Sequence, residues 1–390
     1  MDVPNDVCGN VGQWGSICAV PTYTFDRKSF WPDRDVYDLT SEGGNLGGTV
    51  ITPLLGAWVE SPVAQRIYQT EFSTKNLPLL GDHVLHNVVV VPGAAYLSMG
   101  LSAAVNMHGH PGSCHRLHSV TFPQALVLHE AEVGRKVQLI FDSSAEESSF
   151  ALHSFDDATG MWVEHMTGSL TASPKNAPAP KLPAGYLEDV KARCTMGEMP
   201  CGKDPWSEEL YQVLWDREYH LRTAFRWLGH IWRGNREAVC QMRMPLGAHE
   251  WDEFELFPGL VDSCFQLLAS TAFDEFKGTT FIPMWAGEYN FFGKPAKGTQ
   301  LYCHAIEREN KMSVETMGAD IWLFDSAGNK VVELVNIRMK KAGVQALIHG
   351  SKTTNNQFYE VDWQAKNLPV LESSEPASWL VLGDTSTPEL

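Results

Sequence analysis

Apolar positions along this chain follow two periods, and the change between them divides it into units. From Ala94 to Met107 small and apolar residues run almost without a break behind Pro92-Gly93. That run predicts a helix, with proline at its entrance where a missing amide hydrogen costs least. The stretches Val137 to Phe141, Ser149 to Phe155 and Trp162 to Leu170 are short and rich in β-branched and aromatic residues, which predicts strands. Phe257-Pro258-Gly259-Leu260 then opens a second long apolar run, to about Phe273, which predicts a second helix. Phe324-Asp325-Ser326-Ala327-Gly328 precedes a last strand as Phe155 to Gly160 does in the first half. The landmarks recur in one order at nearly one spacing. The pattern therefore predicts a duplicated α+β unit, a helix wrapped by an antiparallel sheet, twice.

The intervening segments set the boundaries. Residues 1–52 show little periodicity and carry a Gly-rich stretch from Gly43 to Gly48, so they read as a linker. The first compact unit spans 53–174. Ser173 to Pro183 holds four prolines in eleven residues and opens an extended inter-unit linker, 175–205. The second unit spans 206–342. From 343 to 390 the pattern changes, and Trp379 to Asp384 reads as an apolar strand ending in glycine, the opening of a nucleotide-binding-type region.

Composition narrows the function classes. The chain has 390 residues, 44% hydrophobic and 20% charged, as expected of a globular protein with two or three units. No run approaches the ~18 apolar residues of a membrane span, and Met1 to Ser16 lacks a basic segment followed by an apolar one. A formal charge of −17 argues against a nucleic-acid partner, which needs clustered Lys and Arg. Eight cysteines without a C-x-x-C pair read as reduced thiols, so a cytoplasmic location is expected.

Two candidate groups carry chemistry. His83 stands just upstream of the first helix, where apolar surroundings and the helix N-terminus both oppose its charge and favour a neutral base. A half-exposed turn histidine is the alternative. Asp262 and Gln266 lie four residues apart on one face of the second helix. Apolar neighbours there favour a protonated carboxyl, the state a general acid needs, although an aspartate serving only the helix dipole fits the position equally. His108, His110, Cys114, His115 and His118 match no familiar metal spacing, so no metal site is expected. Thirteen tryptophans are dispersed, and neither a G-x-S-x-G elbow nor a P-loop is present.

The segment Asp82-His83-Val84-Leu85-His86-Asn87-Val88-Val89-Val90-Val91-Pro92-Gly93 resembles the H-x-x-x-G-x-x-x-x-P signature of the dehydratase domains of modular type I polyketide synthases. Nine residues after His83 is Pro92, whereas nine after His86 is Ala95, so His83 is the match. Phe257 to Gln266 resembles the family's D-x-x-x-Q/H signature, and Ile282 to Gly287 its L-P-F-x-W-x-G stretch. Val20 to Trp31 resembles the linker that follows an acyltransferase domain, and Tyr359 to Gly383 the start of a ketoreductase region.

The resemblance implies a double hot dog fold and a hydro-lyase. His83 would take the α-proton as general base, and Asp262 would deliver a proton to the departing β-hydroxyl as general acid. Pro92, Gly93, Phe225 and Gln266 would contact the substrate, with backbone amides near Gly93 polarising the thioester carbonyl. The 3-hydroxyacyl thioester would arrive on the phosphopantetheine arm of an acyl carrier protein and leave as an enoyl thioester, without metal or redox cofactor. Neighbouring synthase domains and a homodimer are implied partners.

Two positions depart from the family. Asn87 replaces the signature glycine, and asparagine is the residue that next best tolerates left-handed backbone. Leu221-Arg222-Thr223 stands where Tyr-Gly-Pro is usual, so a family tyrosine hydroxyl is either dispensed with or borrowed, for instance from Tyr219. That departure keeps two other outcomes open: dehydration coupled to double-bond isomerisation or oxa-cyclisation, and a catalytically silent scaffold domain.

Overall fold

The computed structural model describes residues 49–109, 114–131, 133–142, 147–172, 180–196, 198–199, 208–245, 251–271, 281–308 and 316–341. In the first half, strands β1 (Val50–Thr52), β2 (Gly56–Val59), β3 (Arg66–Phe72), β4 (His83–Leu85) and β5 (Val88–Val91) lead into helix α1 (Gly93–His108). Strands β6 (His115–Thr121), β7 (Leu126–Leu128), β8 (Arg135–Phe141), β9 (Glu147–Asp156) and β10 (Met161–Ala172) follow. Helix α2 (Tyr186–Arg193) and β11 (Glu198–Met199) lie between the halves in sequence. The second half contains α3 (Glu208–Trp215), β12 (Tyr219–Leu221), β13 (Leu228–Gly234), β14 (Glu237–Met242), α4 (Pro258–Gln266) and α5 (Leu268–Thr271). Strands β15 (Phe281–Phe291), β16 (Leu301–Arg308), β17 (Thr316–Asp325) and β18 (Lys330–Lys341) complete it.

Each half wraps antiparallel strands around a helix, as the duplicated pattern predicts. α1 is buried from Ala94 to Val105 because its small residues let strands approach it on every side. At Gly100 a Cβ would stand 3.0 Å from Leu117 of β6, so glycine sets that approach. α1 also packs on α4, and Ser98 Oγ donates to the Leu256 carbonyl at 3.0 Å. The two sheets are continuous. The order β1-β2-β3-β8-β9-β10-β6-β15-β18-β17-β16-β14-β13-β11 passes from one half to the other where β6 pairs with β15, from Phe291↔His115 to Trp285↔Thr121. A separate four-stranded sheet, β12-β4-β5-β7, takes β12 from the second half and the other three strands from the first.

Several boundaries differ from the sequence reading. β1 falls within the residues read as a leading linker. α2 and β11 fall within the Pro-rich linker, and β11 already pairs with β13 of the second half. The second helix is shorter than its apolar run. α4 ends at Gln266, and the chain resumes as the single turn α5, where Ser270 and Thr271 hydroxyls bond back to the carbonyls of Leu267 and Leu268 at 2.6 and 2.8 Å. Residues 1–48 and 342–390, with their acyltransferase-linker and ketoreductase resemblances, lie outside the described residues, as does Phe273. Among the described residues no helix is long and apolar enough to cross a membrane.

Candidate active site

His83 opens β4, and the β4–β5 hairpin fixes what its ring can do. His86 and Asn87 have φ of 47° and 65°, the left-handed pair of a type I′ turn between Leu85 and Val88, which pair across it. Asn87 thus meets the backbone demand that glycine would meet. The hairpin sets the Val90 carbonyl 2.6 Å from His83 Nδ1. A carbonyl only accepts, so Nδ1 carries the hydrogen and Nε2 keeps its lone pair. Nε2 is buried and has no hydrogen-bond partner among the described residues. Burial lowers the His83 pKa below its ordinary value, and the opposing pulls of the Asp262 charge and the Val90 carbonyl are smaller.

The second half reaches this strand through β12. Leu221 pairs with His83 and Tyr219 with Leu85. The chain then makes a 3₁₀ turn, Thr223–Phe225, anchored to Asp82. The Asp82 carboxylate accepts the Ala224 amide at 2.8 Å, and its carbonyl accepts the Arg222 amide at 2.9 Å. Two rings flank the imidazole: Phe225 at 5.1 Å between centroids, and Tyr219 at 5.8 Å and nearly perpendicular.

Asp262 sits on α4, which the same turn holds in place. A Cβ on Gly259 would run into the Ala224 carbonyl oxygen, so only glycine lets the helix come this close. Gln266 Nε2 donates to Asp262 Oδ2 at 2.6 Å and to the Phe225 carbonyl at 2.9 Å, while Gln266 Oε1 accepts from the Tyr211 hydroxyl at 3.1 Å. Ser263 Oγ donates to the Phe225 carbonyl at 3.1 Å and accepts the Trp227 amide at 3.2 Å. Burial raises the Asp262 pKa, and the His83 charge and the Gln266 hydrogen bond pull less strongly the other way. Each of the two groups feels the charge of the other. A neutral base and a protonated acid are the states this environment favours.

A cavity opens from Asp262 and Gln266 past Tyr219 and Arg217 onto an apolar wall that includes Phe281 and Pro283. Pro92 caps α1 in an extended conformation. A Cβ on Gly93 would stand 3.3 Å from Pro283, so the helix N-terminus abuts that wall. The first amides of an α-helix lack acceptors within the helix. His83, Asp262 and Gln266 are therefore brought together, and Gly93 is set close by. Phe225 packs against the base. It is fully buried beneath the His83 ring, and its backbone carbonyl anchors Gln266 and Ser263. Asp82, Tyr211 and Ser263 escaped the sequence reading because their partners are distant in the chain. Of the histidine cluster, His110 lies outside the described residues, and His118 bonds Thr171 at 3.1 Å. Among the described residues no group of His, Cys, Asp and Glu is arranged to hold a metal.

Known proteins share this architecture. Residues 52–155 match the family model for the polyketide synthase dehydratase domain, and residues 198–348 match that for the polyketide synthase dehydratase N-terminal domain. The dehydratase domain from the CurJ module of the curacin polyketide synthase is 34% identical, with a TM-score of 0.68, over 77% of this chain and 100% of that one. The phthioceranic/hydroxyphthioceranic acid synthase of Mycobacterium tuberculosis is 23% identical over 383 residues, 96% of this chain. Polyketide synthase PksN of Bacillus subtilis is 21% identical over 369 residues, 92% of this chain. This chain spans only 17% and 6% of the lengths of those two synthases. With the double hot dog fold and matches to both halves, the chain belongs to the dehydratase domains of modular polyketide synthases.

Proposed function

We propose that this domain removes water from a 3-hydroxyacyl thioester presented on the phosphopantetheine arm of an acyl carrier protein. The observation that carries the reading is the pairing of two buried groups from the two halves of the fold: a histidine with a free lone pair on Nε2, whose pKa burial lowers, and an aspartate, whose pKa burial raises. His83 Nε2 takes the α-proton, its electron pair becomes the second bond between the α and β carbons, and the β carbon–oxygen bond breaks. Asp262 gives its proton to the departing hydroxyl, which leaves as water. Gln266 occupies Oδ2 and directs Oδ1, which has no partner among the described residues, to that task. The step converts a neutral pair into imidazolium and carboxylate, and their attraction supports the charge that develops. A proton passing back from His83 to Asp262 restores the site.

The relatives supply a parallel. A His-to-Phe mutant of the CurJ dehydratase is described as inactive, and so is an Asp-to-Asn mutant of the CurK dehydratase. A double-bond shift following elimination is the second reading, favoured by GphF DH1, a 25% identical domain known in an isomerase-inactive variant.

Two substitutions test the assignment. His83→Ala should leave a folded domain with turnover lowered by about a thousandfold or more. Asp262→Asn should keep its shape and fail to release water while still exchanging the α-proton with solvent deuterium, read by mass spectrometry. Wild-type rates in either variant would remove that residue from the reaction.

A further inference from the structure

Tyr219 carries a phenol that the fold leaves unspent. Residues two apart on a strand share a face, and Leu221 pairs with His83, so Tyr219 stands diagonally across from the base. Its ring meets the imidazole edge-on at 5.8 Å, and its side chain lines the same cavity as Asp262 and Gln266. The Asp262 charge is near enough to act on it. Four other phenols are occupied: Tyr68 bonds Asn106, Tyr96 the Leu126 amide, Tyr186 His304, and Tyr211 Gln266. The buried Tyr289 hydroxyl also lacks a partner among the described residues, but Tyr289 does not line this cavity. The Tyr219 hydroxyl makes no hydrogen bond to any described residue. Packing against His83 needs only the ring, so phenylalanine would serve a structural role equally well.

We propose that the Tyr219 hydroxyl binds the 3-oxygen of the acyl substrate and holds it beside Asp262, an inference that rests on the dehydratase reading above. The phenol donates a hydrogen bond to that oxygen while Asp262 protonates it. As the carbon–oxygen bond breaks, the oxygen gains electron density and the hydrogen bond strengthens, so the hydroxyl contributes more to the transition state than to binding. No proton is transferred from Tyr219, and none has to be returned to it. Leu221, which pairs with His83, offers no hydroxyl of its own.

Tyr219→Phe separates this role from a structural one. Turnover of a 3-hydroxyacyl N-acetylcysteamine thioester should fall about 10- to 100-fold in kcat, with KM changed about threefold or less. The melting temperature should stay within about 2 °C, because no protein hydrogen bond is lost. Binding is measured separately with a 3-hydroxyacyl pantetheine amide, which lacks the thioester, and its 3-deoxy counterpart. Wild type should prefer the hydroxylated ligand by about fivefold or more, and Tyr219→Phe should lose that preference. A variant that retains the preference, keeps wild-type kcat or melts much lower overturns the inference, as does a wild type without preference. Absence of turnover in the wild type would instead overturn the dehydratase reading, leaving the binding comparison to judge Tyr219 by itself.

Discussion

At the scale of single residues, His83 and Asp262 are opposed in what burial does to them, and the opposition has a pH signature. Burial lowers the histidine pKa below its ordinary 6.5 and raises the aspartate pKa above its ordinary 3.8. A lowered histidine pKa keeps the base neutral as pH falls through the usual imidazole range, so the acid limb of kcat/KM should lie below pH 6.5. A raised aspartate pKa keeps the acid protonated to higher pH than an ordinary carboxyl, and loss of that proton sets the alkaline limb. In Asp262→Asn the carboxylate charge that favours protonated His83 is gone. Residual α-proton exchange should then persist to a pH at least as low as in the wild type, with no alkaline limb from residue 262. A pH–rate series in both proteins checks this, and an acid limb displaced upward in the variant would contradict it. Both residues were chosen through the family resemblance, in which spacing selects His83, whereas position and apolar context alone left each open to a structural role. Tyr211, Ser263 and the Val90 carbonyl were not, because what they do depends on where the chain returns in space.

At the scale of elements, the site rests on two short pieces of backbone. The His86-Asn87 turn aims His83, and its left-handed conformation was legible from the asparagine that replaces glycine. The 3₁₀ turn at Thr223–Phe225 was not legible, because the family's Tyr-Gly-Pro is absent there and Asp82 supplies the anchor instead. This turn presses on α4 at Gly259. Gly259→Ala should push the helix away from Ala224 at a cost of about 3 kcal/mol. The melting temperature should then fall by several degrees, and turnover should fall further because Asp262 and Gln266 move with the helix. Differential scanning fluorimetry and a turnover assay read both effects, and an unchanged variant would show that the contact is not needed. The length of the second helix was overread from sequence. An apolar run shows what is buried and not how the backbone turns, and Ser270 and Thr271 bonding to preceding carbonyls accompany its break.

At the scale of the molecule, the duplicated pattern gave the two units but not the way they join. Edge pairing of β6 with β15 depends on register between strands far apart in sequence, and it makes one sheet of two. β12 crosses in the opposite sense to stand beside the strand of the base. Between the halves in sequence, α2 is fastened to the second sheet through Tyr186, whose hydroxyl lies 2.7 Å from His304, and through Arg193, which pairs with Glu237. Glu237 in turn bonds His304 at 2.9 Å. Halves joined this way should unfold together. Calorimetry should show a single transition over residues 49–341, with calorimetric and van't Hoff enthalpies in agreement. Two resolved transitions would mean that the shared sheet does not couple the halves. The central claim, however, concerns chemistry at the cleft between them. Its most direct test is intact-mass spectrometry of an acyl carrier protein loaded with a short 3-hydroxyacyl chain and incubated with the domain. The expected result is loss of one water with one of the two hydroxyl configurations, and no loss when His83→Ala replaces the wild type. An unchanged mass with both configurations, or water loss that survives His83→Ala, would contradict the account.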